Sequence, residues 1–313
     1  LKARLADSDY GTIILANDIE LTTGNIVIPN GRTVTIDLNG HTLSTTDNST
    51  YIINNLGKLT IKDSNESGKG KISAYGGIYN GKTYNPNART EFGDVNLNAK
   101  LTIESGVIED ISSDKRAVIY NYGMLYITGG KFYGKYSGIT NYGMADIKNT
   151  YIECLGADND VAAIVNDFDI TFGENVYIAG EYRAVTGTAA YTGTPIFLYA
   201  ELNGKKYSSL QDAIDDAIDG DVVTLIANGT EDEVLITQKA DVDVTINGNN
   251  KTFTGHITIF GSGRHTGAET LTIKNVVFQA VDGKGECIAS ATKINGVNSY
   301  AHNVTVEGCT FKG

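Results

Sequence analysis

Apolar and polar residues alternate along many short stretches of this chain, and the alternation recurs in a fixed frame. The frame fills every second position in the order apolar, Asn, Gly, apolar, apolar. A further apolar residue follows five positions later. Two full copies begin at Ile119 and Ile139, 20 residues apart. A period of two predicts β-strands, and a strand unit repeated about every 20 residues predicts a solenoid of stacked coils.

The asparagine of the frame is predicted to form a ladder within the stack. Further copies of the frame begin at Ile53 and Ile164, so an Asn lies at the same place in each copy. Amide side chains stacked about 4.8 Å apart can hydrogen-bond to one another, and asparagine also tolerates the left-handed backbone of tight corners. The predicted ladder consists of Asn55, Asn121, Asn141 and Asn166.

The polar stretch 63–98 interrupts the repeat. It is rich in Gly, Asn, Ser and Tyr, a composition that allows both an ordered and a disordered loop. Because insertions in a solenoid leave the coil as loops, we expect the whole stretch to be an excursion from the stack.

The beginning of the chain recurs after residue 200, which predicts two modules. The stretches 1–11 and 210–220 match in length and in apolar placement, and each reads as a short helix that ends at a Gly. We predict a first β-helix module over 1–200 and a second over 201–313, which restarts with a cap helix at 210–219 and is incomplete at its C-terminus. We expect the native protein to continue beyond both ends, or a partner to cover the open edge. The apolar stripe of the second cap helix is Leu210, Ala213, Ile214, Ala217 and Ile218.

Composition and charge exclude some function classes. The formal net charge of the 313 residues is -12, with no cluster of basic residues, which argues against a nucleic-acid partner because phosphate backbones require a basic surface. No stretch approaches the about 18 apolar residues of a membrane span, so membrane insertion is not expected. Glycine is frequent, with 36 residues, and proline is rare, with three, which is typical of many tight corners.

The three cysteines do not make a disulfide framework, because their number is odd and they are sparse. Cys154 and Cys309 lie next to inward strand positions, which favours buried thiols that act as small apolar side chains. A bond between Cys287 and Cys309 remains an open alternative.

Two segments carry a resemblance to a known fold family. The segments LTIKNVVF (271–278) and VTVEGCTF (304–311) are similar to the strand unit of pectin-lyase-like right-handed parallel β-helices. The segment ELNGKKYSSLQDAIDDAIDGDVVTL (201–225) resembles β-helix modules of large surface proteins of gut Gram-positive bacteria. The resemblance implies an all-β, right-handed parallel β-helix with short capping helices at the module starts, located on the bacterial surface. It leaves the function open, because this fold carries lyases, hydrolases, adhesins and phage tail spikes.

The motifs of the family's enzymes are not matched. Asp215-Asp216 lies on the predicted cap helix, and the segment Gly255–Ile257 has the sequence G-H-I where the motif requires G-H-G. The acidic runs 158–160 and 231–233 lack the spacing of known calcium loops and read as solvated loops. Arg264-His265 beside Glu269 reads as a surface hydrogen bond. No catalytic residue, cofactor or metal ligand is therefore predicted, and an enzyme is not favoured.

Tyrosines are the candidate ligand-binding residues. If Ile119 and Asn121 point inward, Tyr120 and Tyr122 point outward, and Tyr142 stacks near Tyr122. Rows of aromatic rings suit sugars, which pack an apolar face on a ring while their hydroxyls find polar partners. The alternative is that an exposed Tyr is simply a good strand former. The full candidate set is Tyr120, Tyr122, Tyr142, Tyr126, Tyr79 and Tyr84, the last two from the predicted excursion.

These observations predict a non-catalytic, extracellular β-helix module of a bacterial surface adhesin. It displays loops and binds a partner, a glycan in the preferred interpretation and a host or cell-surface protein otherwise. One alternative is a polysaccharide lyase or glycoside hydrolase, which requires converging carboxylates or a bound Ca2+. Another is a phage tail-spike or fibre protein, which predicts three-fold assembly. The sequence leaves the oligomeric state open.

Overall fold

The structure is a computed structural model that describes residues 1–2, 11–83, 95–112, 115–154, 156, 161–180, 183–238, 242–261, 270–281, 286–295, 297–298 and 303–312. The chain divides into two compact units, Leu1–Ile196 and Phe197–Gly313, and each is treated by itself. The helix predicted at the start of the chain falls almost entirely outside the described residues.

The first unit is a parallel β-helix, and the predicted all-β solenoid is confirmed. Each coil contributes one strand to each of three parallel sheets, which we call A, B and C, and the chain passes through them in that order. Equivalent residues of the frame pair in register, since Leu125 pairs with Leu101 in one neighbouring coil and with Ala145 in the other.

The strands of the three sheets are short. In spatial order, sheet A contains Thr12–Ile14, Thr33–Asp37, Lys58–Lys62, Lys100–Ile103, Met124–Ile127, Met144–Ile147, Ile170–Phe172 and Tyr191–Thr192. Sheet B contains Ile19–Leu21, Thr42–Thr45, Lys71–Ala74, Val107–Asp110, Lys131–Gly134, Thr150–Cys154, Val176–Gly180 and Ile196–Leu198. Sheet C contains Ile26–Ile28, Ile53–Asn55, Ile78–Asn80, Ala117–Asn121, Ser137–Asn141, Ala162–Asn166 and Arg183–Thr186.

The core of the first unit consists of files of inward apolar side chains. In the strand Met124–Ile127, Leu125 and Ile127 are buried, whereas the intervening Tyr126 is partly exposed. One coil cannot bury its own inward side chains, so the removal of this apolar area from water stabilises the stack as a whole. The file that contains Ile127 continues through neighbouring coils as Ile36, Ile61, Ile103 and Ile147.

The predicted asparagine ladder is present, with one more member than the frame indicated. Each of the first four amide nitrogens donates to the amide oxygen of the next coil, Asn166 Nδ2 donates to the backbone oxygens of Ala189 and Ala190, and all five side chains are buried. The distances are 2.7 Å from Asn55 to Asn80, 2.7 Å from Asn80 to Asn121, 2.7 Å from Asn121 to Asn141 and 3.0 Å from Asn141 to Asn166. None of the five ladder asparagines has a positive φ. Amide hydrogen bonding therefore accounts for asparagine at these positions, and a left-handed backbone does not.

The prediction that 63–98 is a single excursion is wrong for its first half. Lys71–Ala74 belongs to sheet B and Ile78–Asn80 to sheet C, so the chain completes a coil there. Ile72 and Ile78 supply the inward side chains, but these strands are only four and three residues long and are flanked by glycines. The two strands could therefore not be recognised from the composition of the stretch, which is typical of a loop. Residues 84–94 lie outside the described residues.

The second unit is built from two further sheets, D and E. An antiparallel hairpin, Ala200–Leu202 with Lys205–Tyr207, pairs antiparallel with the first coil strand Asp221–Leu225 and so covers an edge of sheet D. The other strands of sheet D are parallel and comprise Val244–Asn247, Leu271–Lys274 and Val304–Glu307. Sheet E contains Gly229–Gln238, Thr252–Gly261, Val277–Gln279, Thr310–Lys312 and Ile288–Ser290. A separate hairpin joins Lys293–Ile294 to Val297–Asn298.

The cap helix of the second unit is shorter than predicted. It spans Leu210–Asp215, and Ser209 caps its N-terminus by accepting a hydrogen bond from the backbone of Asp212. The predicted apolar stripe is wrong at Ile218, which is 69% exposed because the helix has already ended. No described helix has both the length and the apolarity that a membrane span needs.

No disulfide bond joins the three cysteines, all of which lie within the described residues. Cys154 and Cys287 are buried and Cys309 is half-buried, so the alternative of a bond between Cys287 and Cys309 is not realised. Burial raises the pKa of the Cys287 thiol, which lowers its reactivity.

Candidate functional site

Five tyrosines form one cluster on the outer side of sheet C and the turn that follows it. Tyr79 and Tyr120 are register partners in sheet C, and their ring centroids are 5.4 Å apart with an interplanar angle of 19°. The rings of Tyr122 and Tyr142 are 5.0 Å apart at 13°, which confirms the predicted stacking. Tyr51 completes the cluster at 5.2 Å from Tyr79.

The cluster is largely closed to solvent. Tyr122 is 4% exposed and Tyr51 is 2% exposed, whereas the other three rings are half-buried. The Lys82 ammonium lies 4.1 Å from the ring centroid of Tyr122, and the Arg116 guanidinium lies 6.0 Å from that of Tyr51. Because ring faces pack on other rings and cations, Tyr122 has almost no surface left for a sugar.

Burial controls the ionisation of the cluster. Desolvation raises the pKa of the Tyr120 phenol, and a hydrogen bond with Tyr142 raises it further. Desolvation also raises the pKa of Tyr122, with a smaller contribution from the charge of Tyr79. The folded state therefore holds these two protons more tightly than the unfolded state does.

The tyrosine cluster should make the first unit sensitive to alkali. A raised folded-state pKa contributes stability that is fully present below the ordinary tyrosine value of about 10 and is lost as pH rises through the folded-state pKa. We expect urea titrations at about pH 9 and about pH 11.5 to show a loss of stability that is smaller in the double variant Tyr120→Phe/Tyr122→Phe. Equal losses in both proteins would contradict this assignment.

Of the other predicted tyrosines, Tyr126 lies apart from the cluster. It is on sheet A, where the Lys100 ammonium lies 4.3 Å from its ring centroid. Tyr79, a member of the cluster, belongs to a sheet C strand rather than to the predicted excursion. Tyr84 lies outside the described residues.

A groove of about 600 Å³ runs across five successive coils where sheet A turns into sheet B. This volume is in the range of small-molecule binding sites. Its lining comes from the segments 67–68, 106–107, 130–131, 149–151 and 175–177. This groove therefore lies on a different side of the coil from the tyrosine cluster.

The backbone at this corner determines the shape of the groove. Gly106 and Gly130 turn the corner with φ of 99° and 94°, and Asn149 and Asn175 do so in the next two coils with φ of 51° and 55°. Glycine and asparagine are the residues that adopt this left-handed conformation readily. At one end of the groove the glycines contribute only backbone to a lining that also contains the side chains of Ser67, Val107 and Lys131, and the asparagines place amides at the other end.

Two tyrosines line the asparagine end of the groove. Tyr151 and Tyr177 are register partners on sheet B, so their side chains leave the same face one coil apart. Tyr177 is 39% exposed, and the hydroxyl of Tyr151 donates a hydrogen bond to Glu153. These rings line open space, in contrast to the closed rings of Tyr51 and Tyr122.

Polar groups accompany the two rings. Asn175 Nδ2 donates to Asn149 Oδ1 at 2.9 Å, and within the described residues Asn149 Nδ2 and Asn175 Oδ1 have no hydrogen-bond partner. Lys131, the register partner of Tyr151, adds an exposed ammonium. The arrangement offers amide and ammonium groups next to apolar rings, which is the chemistry that a sugar needs.

Sequence reasoning missed Tyr151 and Tyr177, although the chain contains a signal for them. The segments Asn149–Ile152 and Asn175–Ile178 share the pattern N-x-Y-I, 26 residues apart. That spacing is one coil, so both the left-handed Asn and the outward Tyr recur on one corner. The frame that repeats most clearly in the sequence describes inward positions, whereas the N-x-Y-I pattern describes a corner and an outward side chain.

The acidic runs have structural roles where they are described. Glu231 Oε1 accepts hydrogen bonds at 2.6 Å from both the Tyr199 hydroxyl and the backbone nitrogen of Leu210, so it holds the start of the cap helix. Glu233 accepts a hydrogen bond from Thr258. Among the described residues no group of three His, Cys, Asp or Glu side chains is arranged to hold a metal ion. The run 158–160 and the residues Arg264, His265 and Glu269 lie outside the described residues.

Comparison of the chain with protein-family models, with curated proteins and with solved structures gives no significant match in any of the three. Any function must therefore be argued from the fold and from the groove.

Proposed function

We propose that this chain is a non-catalytic, extracellular β-helix module of a bacterial surface adhesin that binds a glycan partner in the groove of the first unit. The observation that carries the proposal is that the exposed Tyr177 and the half-buried Tyr151 line the groove beside the partly unbonded amides of Asn149 and Asn175. The resemblance of 201–225 to modules of Gram-positive surface proteins, within a pectin-lyase-like fold, supports the extracellular location.

The chemistry of the groove suits saccharides. A sugar ring presents C–H groups on one face, which pack on an aromatic ring, and hydroxyls at its edge, which need hydrogen-bond donors and acceptors. Tyr177 supplies an open ring, Asn149 and Asn175 supply one free donor and one free acceptor group, and Lys131 supplies further donors. The rings are positioned by strand register and not by loops, so the site is formed before the ligand arrives.

Two carboxylates in the outward file of sheet B beside the groove, those of Glu109 and Glu153, are engaged in contacts within the protein, which supports a binding role over a catalytic one. Glu109 accepts a hydrogen bond from Ser73 at 2.6 Å and pairs with Lys71 at 3.0 Å. Glu153 accepts the hydroxyl hydrogen of Tyr151. A glycosidase needs two carboxyl groups that are free to reach the scissile bond.

Loss of the open ring should weaken binding. We expect Tyr177→Ala to lower the affinity for glycans retained on a glycan array by at least about tenfold, equivalent to about 1.4 kcal/mol, because it removes the most exposed stacking surface of the groove. Tyr126→Ala is the matched control, since Tyr126 is a partly exposed tyrosine on sheet A outside the groove, and it should bind as the parent does.

Two results would contradict this placement of the site. Unchanged binding in Tyr177→Ala would remove the groove from the proposal. Loss of binding in Tyr142→Ala with retention in Tyr177→Ala would assign the ligand to the tyrosine cluster on sheet C instead. Circular dichroism of each variant establishes that the fold is retained.

A further inference from the structure

The groove is long in the direction of the coil axis. Its lining comes from five successive coils, from 67–68 at one end to 175–177 at the other. Neighbouring coils are about 4.8 Å apart, so four intervals give a length of roughly 19 Å. A single sugar ring placed on Tyr177 contacts only the asparagine end and leaves the glycine end empty.

The two ends of the groove offer different contacts. At the asparagine end, Tyr151 and Tyr177 present rings that a sugar face can cover. At the other end, Gly68, Gly106 and Gly130 contribute backbone groups beside the side chains of Ser67, Val107 and Lys131, so a ligand there meets backbone as well as side-chain contacts. A chain of linked sugars uses both ends at once, and each added unit contributes contacts without a second loss of translational freedom.

The charge of the lining favours a neutral ligand. Lys131 is the one charged residue among those that line the groove. The carboxylates of Glu109 and Glu153 lie in the next outward file of sheet B, and the whole chain has a net charge of -12. A polymer with a negative charge on every unit would meet one cation and be repelled by its surroundings.

We infer that the groove binds an extended, predominantly neutral oligosaccharide that lies along the coil axis, with one unit on Tyr151 and Tyr177 and the rest over the glycine end. This inference rests on the proposed function and adds the length, the direction and the charge class of the ligand. Affinity should therefore increase with chain length up to about four units, which matches the roughly 19 Å span, and then level off.

The experiment combines a glycan array with calorimetry. The array carries neutral gluco-, manno- and xylo-oligosaccharides and anionic oligogalacturonates and heparin fragments, each as a series of about one to about six units. Titration calorimetry then follows the retained series with the parent protein, Tyr177→Ala and Lys131→Gln. We expect neutral series to be retained more tightly than anionic ones, and affinity to rise at least about tenfold from one to four units.

Each outcome decides one point. If the array retains no glycan, the proposed function itself fails. If single sugars bind as tightly as longer chains, glycan binding stands and the extended mode is overturned. If anionic series bind more tightly than neutral ones, and Lys131→Gln removes that binding, the neutral class is overturned. If length dependence persists unchanged in Tyr177→Ala, the chain does not lie in this groove.

Discussion

Replacement of Asn121 by leucine is expected to lower the free energy of unfolding of the first unit by roughly 4 kcal/mol, because several buried polar groups lose a partner at once and each costs about 1–3 kcal/mol. Asn121 Oδ1 accepts hydrogen bonds from Asn80 and from the backbone nitrogen of Gly123, and its Nδ2 donates to Asn141. Leucine has the same branched shape and a larger volume, so a cavity does not account for the effect. Water cannot replace these partners, since all the ladder side chains are buried.

A matched control separates the ladder from asparagine content in general. Asn98 is an exposed asparagine in the same unit, and Asn98→Leu should change stability by less than about 0.5 kcal/mol. Urea titrations followed by the near-ultraviolet circular dichroism of the tyrosine cluster measure both variants. If Asn121→Leu were no less stable than Asn98→Leu, the ladder would be a by-product of stacking and not a stabilising element.

Gly143→Ala is expected to destabilise the first unit by roughly 3 kcal/mol through steric overlap. A Cβ atom at Gly143 would lie 2.2 Å from the carbonyl oxygen of Gly123 in the coil before it and 3.0 Å from Nδ2 of Asn121. The carbonyl belongs to the backbone and cannot rotate away, so relief requires the two coils to separate. That separation would also stretch the ladder bond between Asn121 and Asn141.

Gly11→Ala is the corresponding control, because a Cβ there meets no atom of the described residues within 4 Å and φ is not positive. It should leave thermal and urea midpoints nearly unchanged. Hydrogen exchange offers a second readout, since opening at Gly143 should speed exchange of the amides of Tyr142 and Met144, which bond to the coil before. Equal midpoints for the two glycine variants would contradict the steric explanation.

The glycine of the frame illustrates how far sequence reasoning extends. The frame places Gly123 and Gly143 at equivalent positions of successive copies, and frequent glycine is typical of tight corners. The reason for glycine is a contact between coils, since a Cβ at Gly123 would lie 2.6 Å from the Ala99 oxygen. Such a contact depends on the spacing of stacked coils and cannot be read from either coil alone.

The missed ladder residue shows where the pattern fails. Asn80 follows Ile78 at the spacing of the frame, but its Gly comes one position early, as Gly81, and a long polar stretch follows. The surrounding glycines made the segment read as a loop. Strand pairing with Ile53–Asn55 and Ala117–Asn121 places it in sheet C regardless, because three residues suffice when neighbours exist on both sides.

Period-two alternation and the recurrent frame were enough to determine the inward half of this protein: a parallel β-helix, its apolar files and its asparagine ladder. Inward residues contact the equivalent residues of the next coil, so the sequence of one coil predicts the contacts that its inward side chains make. Only the tertiary structure decided the outward half. Outward neighbours come from corners and turns of several coils, and these close the ring of Tyr122 while leaving Tyr177 open beside a groove. The same residue type therefore packs at one site and offers a binding surface at the other.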